Sequence, residues 1–209
     1  MKLNDRGLLV VISGPSGVGK GTVRKALFSM PNHNLVYSVS MTTRPMRPGE
    51  QEGVDYYFVS REEFEKRIEE GKFLEHAEFV GNYYGTPLDK VNERLEAGNE
   101  VVLEIEVEGA LQVKRKVPEC VMIFIVPPGK QALYDRLRKR GTECEEIIEA
   151  RIEKANREFK LAKYYDYIVV NDEVNNAADR IMAIIRAEHA RTRRSIHKYM
   201  ELIGEDETN

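Results

Sequence analysis

The chain has 209 residues, 32% of them charged and 8% aromatic, with no Trp, which fits one charge-rich globular domain, or one core with insertions, large enough to bury a substantial interior. Lys plus Arg number 32 against 35 Asp plus Glu, a net charge of −3, so there is no global basic field of the kind that holds nucleic acid. Cys120 and Cys144 have no metal-ligand spacing and imply no disulfide framework; with no signal peptide and no apolar run of membrane-spanning length, the expectation is a cytoplasmic protein without a nucleic-acid or membrane partner.

The first apolar run, Leu8-Leu9-Val10-Val11-Ile12, reads as a strand and leads directly into Gly14-Pro15-Ser16-Gly17-Val18-Gly19-Lys20. A helix-like stretch, Thr22 to Met30, follows. Strand, G-x-x-x-x-G-K and helix together make a phosphate-binding loop. The glycines let bare backbone approach an anion, successive N–H groups form a nest at a helix N-terminus, and Lys20 supplies a mobile positive charge. Gly21 stands where Ser or Thr is usual and Thr22 follows one place later. Direct Mg²⁺ ligation by the loop is therefore not assured, although nucleotide oxygens and water can hold the ion.

Pro31-Asn32 breaks the chain, and Val36 to Gly85 has a different texture, with many Tyr and Gly and short alternating pieces at Tyr37–Ser40 and Tyr56–Ser60. It reads as a small inserted β-rich lobe, in which Ser60-Arg-Glu-Glu63 is a capping box for a helix that Gly71 ends. Next come a helix from about Pro87 to Ala97, a strand Val101 to Val107, and Val121 to Val126, apolar enough to be buried on both faces of a parallel sheet. A helix through Leu133 and Leu137 stops near Gly141. A second capping box, Thr142-Glu-Cys-Glu145, opens a helix with Ile148, Ile152, Ala155 and Phe159 on one face. Tyr167–Val170 is the last strand and Ala177 to about Tyr199 the last helix. Strands alternating with helices define an α/β fold.

The lobe carries Tyr37-Ser-Val-Ser40-Met-Thr-Thr-Arg44-Pro-Met-Arg47-Pro-Gly-Glu, then Gly53-Val-Asp-Tyr56, Phe73-Leu-Glu75 and Gly81-Asn-Tyr-Tyr84-Gly-Thr86. On these spaced motifs the chain closely resembles the guanylate kinases, P-loop nucleoside monophosphate kinases of the bacterial single-domain type, from about Gly7 to the end of the last helix. The Gly-Lys-Gly-Thr variant of the loop also turns up in kinases of nucleoside monophosphates.

The resemblance implies a P-loop NTPase-type parallel sheet flanked by helices, with an inserted GMP-binding lobe and a short helical lid. The domain would span about 7–187, its core at about 7–36 and 87–199, the lobe at 37–86 and the lid at 138–152, with a polar tail at 200–209. It also implies transfer of the γ-phosphate of Mg-ATP to GMP or dGMP, giving ADP and GDP. The loop residues Gly14 to Thr22, with Lys20, would bind ATP, and Asn171 would lie near its adenine. Ser40, Arg44, Arg47, Tyr56, Glu75, Tyr84, Thr86 and Glu106 would bind GMP, with Arg44 and Arg47 and the Tyr56 and Tyr84 hydroxyls clamping its phosphate. Glu75 would accept from guanine N1–H and the exocyclic amine, while Ser40 and Thr86 would donate to O6. Glu104 would sit near Mg²⁺ through water, and Arg136, Arg140 and Arg151 would close on the transferring phosphoryl group. Relatives more often carry Ser at the position of Thr86 and Asp-x-Asp at Glu104 and Glu106.

Arg138 and Lys139 read as a solvated helix face, the four histidines as structural, and the Arg191-Thr-Arg-Arg194 run as a complement to the helix dipole. Two alternatives stay open: a kinase for another nucleoside monophosphate, and a non-catalytic guanylate-kinase-like scaffold. Self-association is open as well.

Overall fold

The computed structural model describes residues 6–138 and 145–200. Two sheets organise them. The first strand, β1 (Leu9–Ser13), is buried at every position and ends in the glycine-rich loop. The loop opens α1 (Lys20–Ser29), which leads to β2 (Leu35–Tyr37). A second group follows: β3 (Met41–Thr42), β4 (Tyr57–Phe58), α2 (Arg61–Glu69), β5 (Phe73–Phe79) and β6 (Asn82–Pro87). The chain then returns through α3 (Leu88–Glu96), β7 (Glu100–Glu104), α4 (Val107–Lys116) and β8 (Val121–Val126). It continues with α5 (Lys130–Arg138), α6 (Glu145–Phe159), β9 (Tyr167–Val170) and α7 (Val174–His189), followed by a one-turn helix at Thr192–Ser195 and a 3-10 turn at Ile196–Tyr199.

Five strands, in the order β2-β7-β1-β8-β9, form one wholly parallel sheet. Alternate side chains of β1 enter opposite cores, as pleat geometry requires. Val10 and Ile12 pack with α1, α6 and α7 through Leu27, Ile152 and Ile181. Leu9 and Val11 pack with α3 and α4 through Val91, Leu95, Ala110 and Val113. Both faces are covered, which is why β1 and β8 are apolar without alternation. In such a sheet ligands gather beyond the carboxyl ends of the strands, where the winding reverses. The glycine-rich loop follows β1 there, and Glu104 ends β7.

The second sheet has the order β4-β3-β6-β5 and is mixed. Its small core stacks Phe64 between Phe73 and Tyr83, at 4.3 and 5.3 Å between ring centroids. Ser60 caps α2 as the motif implies, its hydroxyl accepting from the Glu63 N–H at 3.1 Å, and Gly71 follows with φ 67°.

Three boundaries differ from the sequence reading. The strand expected to run through Val107 stops at Glu104, because Glu106 is extended (φ −69°, ψ 159°) and caps α4, a helix not anticipated there. The strand around Val36 belongs to the parallel sheet, paired with β7. The last long helix begins at Val174 and ends at His189 rather than near Tyr199. It stops where Arg191 and Arg194 fold back onto Glu188, a carboxylate only 1% exposed that also accepts from the Tyr167 hydroxyl. The arginine run is thus largely structural. The second capping box, Thr142 to Glu145, starts outside the described residues, as does Cys144. Cys120 is buried in the α3/α4 core and desolvation pushes its thiol up to about 11. Among the described residues no helix is long and apolar enough to cross a membrane.

Candidate active site

Gly14, Gly17 and Gly19 have φ of 150°, 87° and 91°, and the space around them is as restrictive as the dihedrals. A Cβ on Gly14 would meet the Ile125 carbonyl at 2.4 Å, and one on Gly17 would meet Leu137 at 2.7 Å. The loop is pressed between β8 and α5. Lys20 opens α1 and folds back, its ammonium donating to the carbonyls of Gly14 at 2.6 Å and Pro15 at 3.3 Å, with the Glu106 carboxylate 3.7 Å away.

Two residues brace the loop from the far side. Arg136 on α5 donates to the carbonyls of Val18 (3.0 Å) and Asn171 (2.9 Å). The Asn171 amide also donates to Val18, at 2.7 Å, and the residue is only 2% exposed. Asn171 is therefore packed under the loop in this state, with its Oδ1 buried and without a protein partner.

Glu104 receives Arg24 Nε at 2.7 Å, and Arg24 in turn lies 4.3 Å above the Tyr37 ring. A Cβ at Gly21 would come within 3.4 Å of the other Glu104 oxygen. The absent side chain at Gly21 and the longer acid at Glu104 thus occupy neighbouring space at the loop's mouth. Glu106 also lies 3.5 Å from Lys154 on α6, which reaches the buried Glu158 at 3.6 Å. Arg151 lies on the same helix, whereas Arg140 falls outside the described residues. Among the described residues no group of three or more His, Cys, Asp or Glu is placed to hold a metal.

In the loop between β3 and β4, Arg44 is held by Glu50 in a two-pronged ion pair, at 2.8 and 3.1 Å, and lies 5.4 Å from the Tyr56 ring centroid. The rings of Tyr56 and Tyr84 meet edge to face at 6.0 Å. Arg47 is exposed, with its backbone N–H on Glu50. Glu50 is thus the organising acid of this cluster, a role not read from its place in the Arg-Pro-Met-Arg-Pro-Gly-Glu turn. Ser40 is half-buried and its carbonyl accepts from Tyr57.

Glu75 is 7% exposed and accepts from the Thr86 hydroxyl at 2.6 Å. Burial pushes its carboxyl up, and the bonds from Thr86 oppose that. Thr86 itself is fully buried, so in this state its hydroxyl serves the acid. Arg24, Lys154 and Gly109 of this region were not picked out in the sequence. Arg24 had a signal, since it lies one helical turn after Lys20.

A loop of this geometry at the carboxyl edge of a parallel sheet defines a P-loop nucleotide-binding protein of the α/β class. A sequence model described as guanylate kinase matches residues 6–188. A guanylate kinase of Onion yellows phytoplasma is 64% identical over 207 residues, 99% of this chain and 98% of that one. One from Streptococcus agalactiae is 59% identical, covering 97% of each. The crystal structure of a guanylate kinase from Anaplasma phagocytophilum superposes with a TM-score of 0.74 at 36% identity, over 96% of this chain and 97% of that one. The chain belongs to the guanylate kinase family.

Proposed function

We propose that this chain moves the γ-phosphoryl group of Mg-ATP to GMP or dGMP, producing ADP and GDP or dGDP respectively in the cytoplasm, with the residues described above in distinct roles. The observation that carries the reading is the buried carboxylate of Glu75, bonded by the Thr86 hydroxyl in the sheet that also carries Tyr84, with Arg44 and Tyr56 in the loop between β3 and β4. A carboxylate accepts from the N1–H and amine of guanine together, and adenine offers neither donor. Sites built on such hydrogen bonds reject the mismatched base by about 10⁴-fold.

Arg44, Arg47, Tyr56 and Tyr84 hold the GMP phosphate, and Ser40 and Glu106 contact the base. On acceptor binding the phosphate takes over from Glu50 as the partner of the Arg44 fork, a planar donor suited to either anion. No general base is required, because a phosphate oxygen of GMP is already nucleophilic and phosphoryl transfer depends on positioning and charge. Gly14 to Thr22 cradle the ATP phosphates through backbone N–H groups, and Lys20 leaves its loop carbonyls for the outer phosphates. Asn171 supports the loop on the adenine side. Arg136, Arg140 and Arg151 add positive charge around the transferring group.

Mg²⁺ bound with the nucleotide neutralises phosphate charge. The donor set fits such an ion: Glu104 offers a hard oxygen beside Gly21, at the start of α1. Glu104 would hold it through water, with nucleotide oxygens as the remaining ligands.

The test is ADP formation from Mg-ATP with GMP, dGMP, AMP, UMP and CMP each offered as acceptor. Turnover confined to GMP and dGMP is the expected result. Efficient turnover with AMP or UMP would remove the base-reading role of Glu75, and folded protein inert with every acceptor would overturn the catalytic reading.

A further inference from the structure

One stripe of α4 grips β5. Gly109, Gln112 and Lys116 recur at i, i+3 and i+7 and so share a helix face. Each meets a different residue of β5. The Lys116 ammonium donates to the Phe73 carbonyl. The Gln112 amide accepts from the His76 N–H at 3.2 Å and donates to the His76 carbonyl at 3.1 Å, as a neighbouring strand would. Between them Gly109 faces Glu75, where an added Cβ would lie 2.9 Å from Oε2, 3.4 Å from Cδ and 3.5 Å from Cγ. The helix backbone cannot retreat, since Val107, Ala110 and Val113 around Gly109 are fully buried in the core. β5 is held on its other side by its antiparallel pairing with β6, Glu75 opposite Thr86 and His76 opposite Gly85.

We propose that Gly109 is a specificity-determining position: its missing side chain is the seat of the Glu75 carboxylate, and α4 thereby sets where the guanine-reading acid stands. This rests on the reading of Glu75 as the acceptor of guanine donors. A carboxylate at the end of a flexible chain usually swings away from an added methyl. Here it is buried, and Thr86 holds Oε1 at 2.6 Å, so any swing breaks that bond and misaligns both oxygens. Gly109 has no positive φ and sits inside a helix, where Ala is intrinsically favoured over Gly. The same substitution that raises the intrinsic helix propensity should therefore spoil recognition of the base.

The experiment is Gly109→Ala in the full chain, assayed with GMP and with inosine monophosphate, which keeps N1–H but lacks the exocyclic amine. Misplacement of a positioned group by about 1 Å costs on the order of 100-fold, and we expect a fall of that size in kcat/KM for GMP. The preference for GMP over the inosine nucleotide should shrink about tenfold or more, since one of two donors loses its acceptor. KM for ATP should stay within about twofold, and the melting midpoint should move little, because the gain in helix propensity is offset by the buried Thr86–Glu75 bond that the clash breaks. The preference is the readout that a merely structural glycine would not move. Should Gly109→Ala fail to fold, Gln112→Ala adds no bulk, loosens the same stripe and should lower the preference at least about threefold. A preference unchanged within about twofold in the folded variant overturns the proposal, by the same scale. A wild-type chain indifferent between the two nucleotides overturns the reading of Glu75 itself. A double-mutant cycle closes the argument: Glu75→Asp withdraws the carboxylate by one methylene, so its cost should be much smaller in the Gly109→Ala background than alone. Additive costs would refute the clash.

Discussion

Replacing Lys20 with Ala is expected to lower ADP formation from Mg-ATP and GMP by about 10³-fold or more, the scale on which a positive group over a transferring phosphoryl acts. The fold should survive. The Lys20 ammonium rests on two carbonyls of its own loop, at 2.6 and 3.3 Å. The loop's shape, however, comes from Gly14, Gly17 and Gly19 and from the bracing by Arg136 and Asn171. ATP affinity should fall less than turnover, because the backbone donors of the nest remain. Single-turnover rates and ATP binding, measured separately, distinguish the two effects. A rate within about tenfold of wild type would remove Lys20 from the chemistry, given that scale.

Glu75→Gln should have the second largest effect, a fall of about 10³-fold in kcat/KM for GMP. Gln is nearly isosteric and fits between Thr86 and Gly109, so packing should change little. Its amide keeps one acceptor but presents an N–H₂ where guanine also presents a donor, leaving two buried donors facing each other. The Thr86 hydroxyl, which now donates to Oε1 at 2.6 Å, would also have to choose which partner it satisfies. Kinetics with GMP and AMP decide the matter. A GMP value within about tenfold of wild type would show that the carboxylate charge is not what reads the base, since loss of a built hydrogen bond is far costlier.

The parts of the chain legible in the sequence are those where one local cause acts alone. The loop from Gly14 to Lys20 is set by glycine dihedrals, and β8 by a run of apolar residues too short for a helix and buried on both faces. The cap at Ser60 is a side-chain bond three residues long. What escaped was decided by tertiary partners. Leu103 to Val107 alternates apolar and acidic residues as a strand would, but Val107, Ala110 and Val113 need the α3 side of the core, so the chain turns at Glu106 into α4. The short strands β3 and β4 exist because β6 supplies a neighbour. In the candidate site the residue types assigned to phosphate and base stood out, whereas Glu50, Arg24 and Gly109 did not. Each acts on another protein group, and only the folded chain brings those groups together.

The pairing around Glu188 bears on how the protein can be trimmed. The family match ends at residue 188, which makes that residue a natural place to cut an expression fragment. The cations that neutralise Glu188 lie beyond it: Arg191 at 3.0 Å and Arg194 at 3.5 Å. Arg194 also ties the segment to the Glu119 carbonyl at 2.6 Å. A fragment ending at 188 would place its new terminal carboxylate beside an acid that is 1% exposed and that, among the described residues, keeps the Tyr167 hydroxyl but neither arginine. Stranding a buried charge in this way costs about 3–5 kcal/mol, a large share of the stability of an ordinary domain. A fragment carried through Ser195 keeps both arginines and should denature at the same urea concentration as the whole chain, while the shorter one should unfold well below it.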